Sequence, residues 1–166
     1  MRAFAVRWKK FLHRLERAWF KSESHYSRSP KWHSWAGQFI TQRRQDPLLS
    51  YLKNARDADE HTVAEITARV AGVAIGAPPG QSVVVDSLVI KNGQVFVDST
   101  GPLVVEFLPA RTQLLPVANR GRTYPVPTVH LGKPVNRHDV LEMAFLSLDW
   151  YRDFADRTET HFVTLA

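Results

Sequence analysis

Apolar positions recur at helical spacing through the first seventy residues and in alternating or continuous runs after residue 80, so the chain predicts helices followed by strands. Phe4, Trp8, Phe11, Leu12, Leu15 and Trp19 fall three and four apart and predict an amphipathic helix over Phe4 to Lys21, with Lys10, Arg14, Arg17 and Lys21 along another face. Residues 22–45 read as a polar loop, with Ser22, Ser24, Ser27, Ser29 and Pro30, that returns through a short aromatic segment in which Trp32 and Trp35 serve packing. Asp46-Pro47 is a start signal: an Asp N-cap precedes a proline at the first helical position, where the missing N–H costs nothing. A helix is predicted from there to about Val70, stopped by Gly72, Gly76, Pro78, Pro79 and Gly80. Its inward stripe is Leu49, Leu52, Arg56, Asp59, Val63, Ile66 and Val70, which puts two charges on an apolar face.

The second half reads as a sheet. Ser82 to Ile90 and Gln94 to Val97 flank Lys91-Asn92-Gly93, a strong hairpin signal. Leu103 to Leu108 predicts a third strand, residues 109–127 a long basic loop with Arg111, Arg120 and Arg122, and Val126 to Leu131 a further short strand. Asn136 or Asp139 caps a final helix with Val140, Leu141, Ala144, Phe145, Leu148, Tyr151 and Phe154 inward, and His161 to Leu165 predicts an edge strand. The fold class is α+β: a basic helical portion over 1–75, then a small antiparallel sheet capped by a C-terminal helix over 80–166, as two portions or one domain.

Composition narrows the chemistry. The 166 residues include no cysteine, which excludes disulfides, thiolate metal sites and cysteine nucleophiles and fits a cytoplasmic location. Val70 to Pro79 is too short and too rich in Gly and Pro to span a bilayer, so no membrane is expected. The net charge of +6 is uneven: residues 1–45 carry eleven Lys and Arg against Glu16 and Glu23, a balance of +9, and the remainder carries −3. A basic head of this kind predicts a polyanionic partner, and Lys9, Lys10, Arg14, Arg17, Arg43 and Arg44 are the candidate nucleic-acid-binding residues. A solvated back of a core helix and an anionic membrane surface are the competing readings of the same charges. His130, His138 and His161 stand far apart and no ligand set has diagnostic spacing, so no metal or cofactor is expected.

Arg56-Asp57-Ala58-Asp59-Glu60-His61 concentrates the remaining chemistry. Arg56 can pair with Asp59 or Glu60 on its own helix, which would make the segment a structural lock. His61 follows Arg56 by five residues, about 140° around a helix of 3.6 residues per turn, so one straight helix cannot aim both side chains at one point. Either the helix breaks here or the two side chains meet partners across a second copy of the chain.

Those six residues, with the lead-in Asp46-Pro47-Leu48-Leu49-Ser50-Tyr51-Leu52-Lys53-Asn54-Ala55, resemble the HEPN superfamily of small helical domains, whose signature is an arginine and a histidine four to six residues apart with a polar residue after the arginine. The string is also similar to uncharacterised bacterial proteins in which a DPLL-x-YL helix runs into ARNADEH. The resemblance implies a homodimeric, metal-independent endoribonuclease of toxin or defence type, with an antitoxin or other protein partner. In that family the RNA 2′-hydroxyl attacks the adjacent phosphorus to leave a cyclic phosphate. Carried over, Arg56 would stabilise the phosphoryl charge, His61 would act as general acid or base, and Asp57, where relatives often have Asn, would orient them. The alternative is a non-catalytic interaction or nucleic-acid-binding subunit of a larger assembly, including a structural protein of a virus or mobile element.

Overall fold

The computed structural model describes residues 2–61, 65–92 and 94–164, without the side chains of Arg2, His61 and Thr164. The chain is an α+β fold that divides into two compact units, Met1–Ala68 with Thr112–Ala166, and Arg69–Arg111. This division differs from a break at 75–80, because the chain after residue 111 returns to the N-terminal helices.

In the larger unit, α1 (Arg2–Tyr26) buries Trp8, Leu12, Leu15 and Trp19, the stripe that the apolar spacing predicts. Its helix runs five residues past Lys21, and α2 (Trp32–Gln45) replaces the loop expected over 22–45. Trp32, Ala36, Phe39 and Arg43 step along the buried face of α2 at helical intervals, a pattern hidden in the sequence by the arginine and by a serine and a glycine among them. The helix must stop at Asp46, since the residue before a proline is pushed to extended backbone, and Asp46 has φ −68° and ψ 126°. Pro47 then opens α3 (Pro47–His61), and Leu49 N donates to Asp46 Oδ1 at 2.9 Å as an N-cap requires.

The helix α3 ends at His61 instead of continuing to Val70. Leu48, Leu49, Tyr51, Leu52, Ala55 and Ala58 are its buried face. Val63 lies outside the described residues, Ile66 is buried ahead of a strand, and Val70 is exposed within it. The β-branched run around Val70 thus takes the strand conformation it packs best in.

The last helix, α4 (Val140–Glu159), is capped by Asp139, whose side chain accepts from Leu141 N and Glu142 N. It packs on α1 and α3, and its Phe154 stacks on Trp19 at 4.8 Å and meets Phe39 of α2 edge-on at 5.1 Å between ring centroids. Leu141 and Phe145, expected inward, are exposed, and Met143, Ser147 and Trp150 take those places. Thr160–Thr164 continues as a π-helical turn where an edge strand is expected, and Phe162 packs there on Tyr26 and Trp35.

Among the described residues the strands form four separate two-stranded ladders. In the smaller unit, β1 (Thr67–Gly76) pairs with β4 (Val104–Leu114), and β2 (Val85–Lys91) pairs antiparallel with β3 (Gln94–Ser99) around Asn92. In the larger unit, the expected basic loop contains a hairpin of β5 (Val117–Asn119) and β6 (Arg122–Tyr124), followed by β7 (Val129–His130) and β8 (Lys133–Pro134). Both hairpins turn on two residues with positive φ, Arg120-Gly121 at 49° and 75° and Leu131-Gly132 at 47° and 79°, the backbone sense of a type I′ turn.

Candidate nucleic-acid interface

One carboxylate ties these pieces together. Asp46, besides capping α3, meets His130 Nδ1 at 2.9 Å and accepts from Leu131 N at 2.6 Å, which holds the left-handed Leu131 turn against the start of α3. Burial works to raise the Asp46 pKa, but the hydrogen bonds from His130, Leu131 and Leu49 outweigh it and hold the carboxyl below its ordinary value. Tyr51 fixes the preceding segment, donating its hydroxyl to the Leu115 carbonyl at 2.6 Å, and burial raises its pKa so that it stays a neutral donor.

The hairpin β5–β6 lies along α3. Asn119 Nδ2 donates to Asn54 Oδ1 at 2.8 Å, and Asn54 Nδ2 donates in turn to the Ser50 carbonyl at 2.8 Å. Between hairpin and helix is a cleft of about 370 Å³ whose rim carries Arg44, Lys53, Arg120, Arg122 and Tyr124. Arg44, Arg120 and Arg122 make no ion pair among the described residues, while Lys53 reaches Asp57 at 3.5 Å. Arg120 sits at the tip of its turn with φ 49°, a conformation that a side chain with a Cβ adopts only at some cost.

Arg43 also borders this cleft, yet its charge is spent elsewhere. Its Nη2 donates to both Glu16 oxygens at 2.6 Å, its guanidinium lies 4.1 Å over the Trp19 ring, and Tyr151 donates to the same Glu16 at 2.9 Å. Burial opposes the Arg43 charge, but Tyr151 and Glu16 more than compensate and raise its pKa. Burial likewise raises that of Tyr151, which remains a hydrogen-bond donor. Of the six cations expected to bind nucleic acid, Arg43 is therefore a core ion-pair residue, and Lys9 is engaged by Asp59. Lys10, Arg14, Arg17 and Arg44 are exposed.

The Arg56 segment binds itself to α1. Arg56 Nη2 lies 2.7 Å from Glu60 and Nη1 3.2 Å from Asp57, whereas Asp59 turns to Lys9 and lies 3.7 Å from His13. Arg56 and Asp59 are consecutive on the stripe but do not pair with one another, because the i,i+4 carboxylate is better placed and α1 supplies Asp59 with a cation of its own. Arg56 nevertheless borders a second cleft of about 420 Å³ with His13, Arg17, Phe20, Lys21 and Ser24. The His61 side chain lies outside the described residues; Arg56 and Asp57 meet at 3.2 Å.

Among the described residues no group of three or more His, Asp or Glu side chains could hold a metal, and no helix is long and apolar enough to cross a membrane. His138 and Asp139 serve the start of α4: Asp139 caps it, and His138 N donates to Asn136 Oδ1. No protein-family model, no curated protein and no solved structure matches the chain.

Proposed function

We propose that the protein binds single-stranded RNA in the cleft between α3 and the β5–β6 hairpin. The observation that carries this reading is the convergence of Arg44, Arg120 and Arg122, without ion pairs among the described residues, on one rim beside Tyr124. Like charges gathered at one cleft repel, and a phosphate backbone relieves that cost while releasing its counterions. Tyr124 offers a ring for a base, and Ser50, which also lines the cleft, carries a hydroxyl that can partner a 2′-hydroxyl. A cleft of about 370 Å³ is of a size to hold one nucleotide. In this account Arg56 to Glu60 is a lock between α1 and α3.

Fluorescence anisotropy with a labelled single-stranded RNA tests the proposal. Each phosphate contact contributes about 0.7 to the slope of log K against log salt, so replacing Arg44, Arg120 and Arg122 by alanine should flatten the slope by about 2. An unchanged slope would overturn the assignment.

A second reading is the metal-independent endoribonuclease that the Arg56-to-His61 string implies, favoured by the place of Arg56 on a cleft with His13 and Arg17. It predicts cleavage of single-stranded RNA in excess EDTA to a cyclic-phosphate product, abolished by His61→Ala, through a site shared by two copies. Intact RNA at every protein concentration would refute it.

A further inference from the structure

Two clefts of the larger unit adjoin across α3. Ser50, Lys53, Asn54 and Asp57 present one flank of that helix to the cleft beside the β5–β6 hairpin, and Arg56, about 100° around the helix from Asp57, borders the cleft of about 420 Å³ against α1. Arg56 Nη1 and Asp57 Oδ1 meet at 3.2 Å, so one ion pair links the two linings. The α1 cleft repeats the chemistry of the hairpin cleft. Arg17 and Lys21 are exposed and make no ion pair among the described residues, and Phe20 beside them is 47% exposed. Arg17, Lys21 and Ser24 fall on one face of α1 at successive turns, and a further cleft of about 450 Å³, bordered by Arg28, shares Lys21 and Ser24. The acidic residues of α1 do not oppose this charge: Glu16 is spent on Arg43, and Glu23 stands about 200° around the helix from Lys21.

We infer that a single RNA strand seated in the hairpin cleft continues over α3 into the α1 cleft, with Arg17 and Lys21 on its phosphates and the Phe20 ring under a base. The inference rests on RNA binding at the hairpin cleft and extends that site to a second subsite. The ridge between the clefts does not repel a strand, because its carboxylates are answered: Asp57 by Arg56 and by Lys53 at 3.5 Å, and Glu60 by Arg56 at 2.7 Å, with His13 3.5 Å away. Cations therefore stand at both ends of a locally neutral crossing. An aromatic ring left in water beside unpaired cations suits a base and its phosphate together, and a strand long enough to reach both rings gains the contacts of each. The smaller unit adds no charge to this field, since Arg69, Lys91 and Arg111 balance Asp86, Asp98 and Glu106, so the net charge of +6 belongs to the larger unit that carries both clefts.

Anisotropy titrations of the full chain with a labelled single-stranded decanucleotide over a range of salt test it. At about 0.7 per phosphate contact, Arg17→Ala/Lys21→Ala should flatten the slope of log K against log salt by about 1.4, and combining it with the alanine replacements of Arg44, Arg120 and Arg122 should flatten it by about 3.5. Phe20→Ala should lower affinity about tenfold and leave the slope unchanged. The control is Lys10→Ala/Arg14→Ala, two exposed cations of the same helix that line neither cleft, which should leave the slope as it is. One RNA should bind per chain. A slope that responds to Arg44, Arg120 and Arg122 but not to Arg17 and Lys21 would overturn the extension and leave RNA binding at the hairpin cleft standing. A control pair that flattens the slope as much as Arg17 and Lys21 would overturn the extension too, because the charge of α1 would then act diffusely, and so would two RNAs per chain. A slope that responds only to Arg17 and Lys21, or no binding of the decanucleotide at all, would overturn both.

Discussion

Removing Glu16 should unfold the larger unit far more readily than removing any exposed charge. Its carboxylate is 3% exposed, receives Arg43 at 2.6 Å on both oxygens, and accepts from Tyr151 at 2.9 Å. In Glu16→Ala the guanidinium of Arg43, a residue 7% exposed in the unaltered protein, has no anion against it, and the Tyr151 hydroxyl loses its acceptor. Breaking a buried pair by deleting one member costs about 3–5 kcal/mol, a large share of the 5–15 kcal/mol by which a typical domain is stable. Deleting both members should cost far less, because no charge is stranded; Glu16→Leu/Arg43→Met is expected to lie within about 2 kcal/mol of the unaltered protein. Urea unfolding followed by tryptophan fluorescence reads this directly, since Trp19 lies beneath Arg43. A loss below about 1 kcal/mol for Glu16→Ala, or a double variant as unstable as the single one, would refute the reasoning.

Asp46 makes stability sensitive to acid. Its folded-state pKa is lowered, so its contribution is fully present above the unfolded value of about 3.9 and is lost as pH falls through the folded value. Asp46→Asn keeps a good helix cap but abolishes that dependence, and its urea midpoint should decline less steeply below pH 4 than that of the unaltered protein; parallel profiles would contradict this. Asn119→Ala removes the hydrogen bond that holds β5–β6 to Asn54, and anisotropy should show RNA affinity falling about 2–10-fold with the salt slope unchanged, as expected for one lost neutral hydrogen bond and no lost phosphate contact. A flattened slope would mean that Asn119 acts through the arginines' positions.

Local signals carried much of the fold. The stripe of α1, the Asp46-Pro47 start, the Asn92 hairpin and the Asp139 cap are each written in adjacent residues, and each appears where its chemistry puts it. What could not be read depended on distant partners. Arg43 looks like one more cation of a basic head until α1 and α4 bring Glu16 and Tyr151 to it. The α2 stripe was obscured because that arginine occupies an apolar position, and the end of α3 because helix and strand compete over the β-branched residues that follow.

The cleft was the least legible part. Arg120 and Arg122 stand in a stretch that reads as loop because Arg120-Gly121 and Leu131-Gly132 lack the Asn or Asp that usually announces a type I′ turn. The Asn119-to-Asn54 bond spans 65 positions and leaves no local trace. Two glycines following positively charged or bulky residues between short β-prone runs were the only available signal, and they permit a hairpin without requiring one. The Arg56 segment was conspicuous for its charge density, and most of that charge is answered within α3 itself, with Lys9 of α1 answering Asp59.

Photo-crosslinking of a 5-iodouridine-substituted single-stranded RNA, followed by mass spectrometry of the joined peptides, tests RNA binding at the cleft most directly. Adducts are expected on the β5–β6 hairpin, foremost at Tyr124, and should disappear when Arg44, Arg120 and Arg122 are replaced by alanine. Adducts confined to α1, or persisting in that variant, would contradict it.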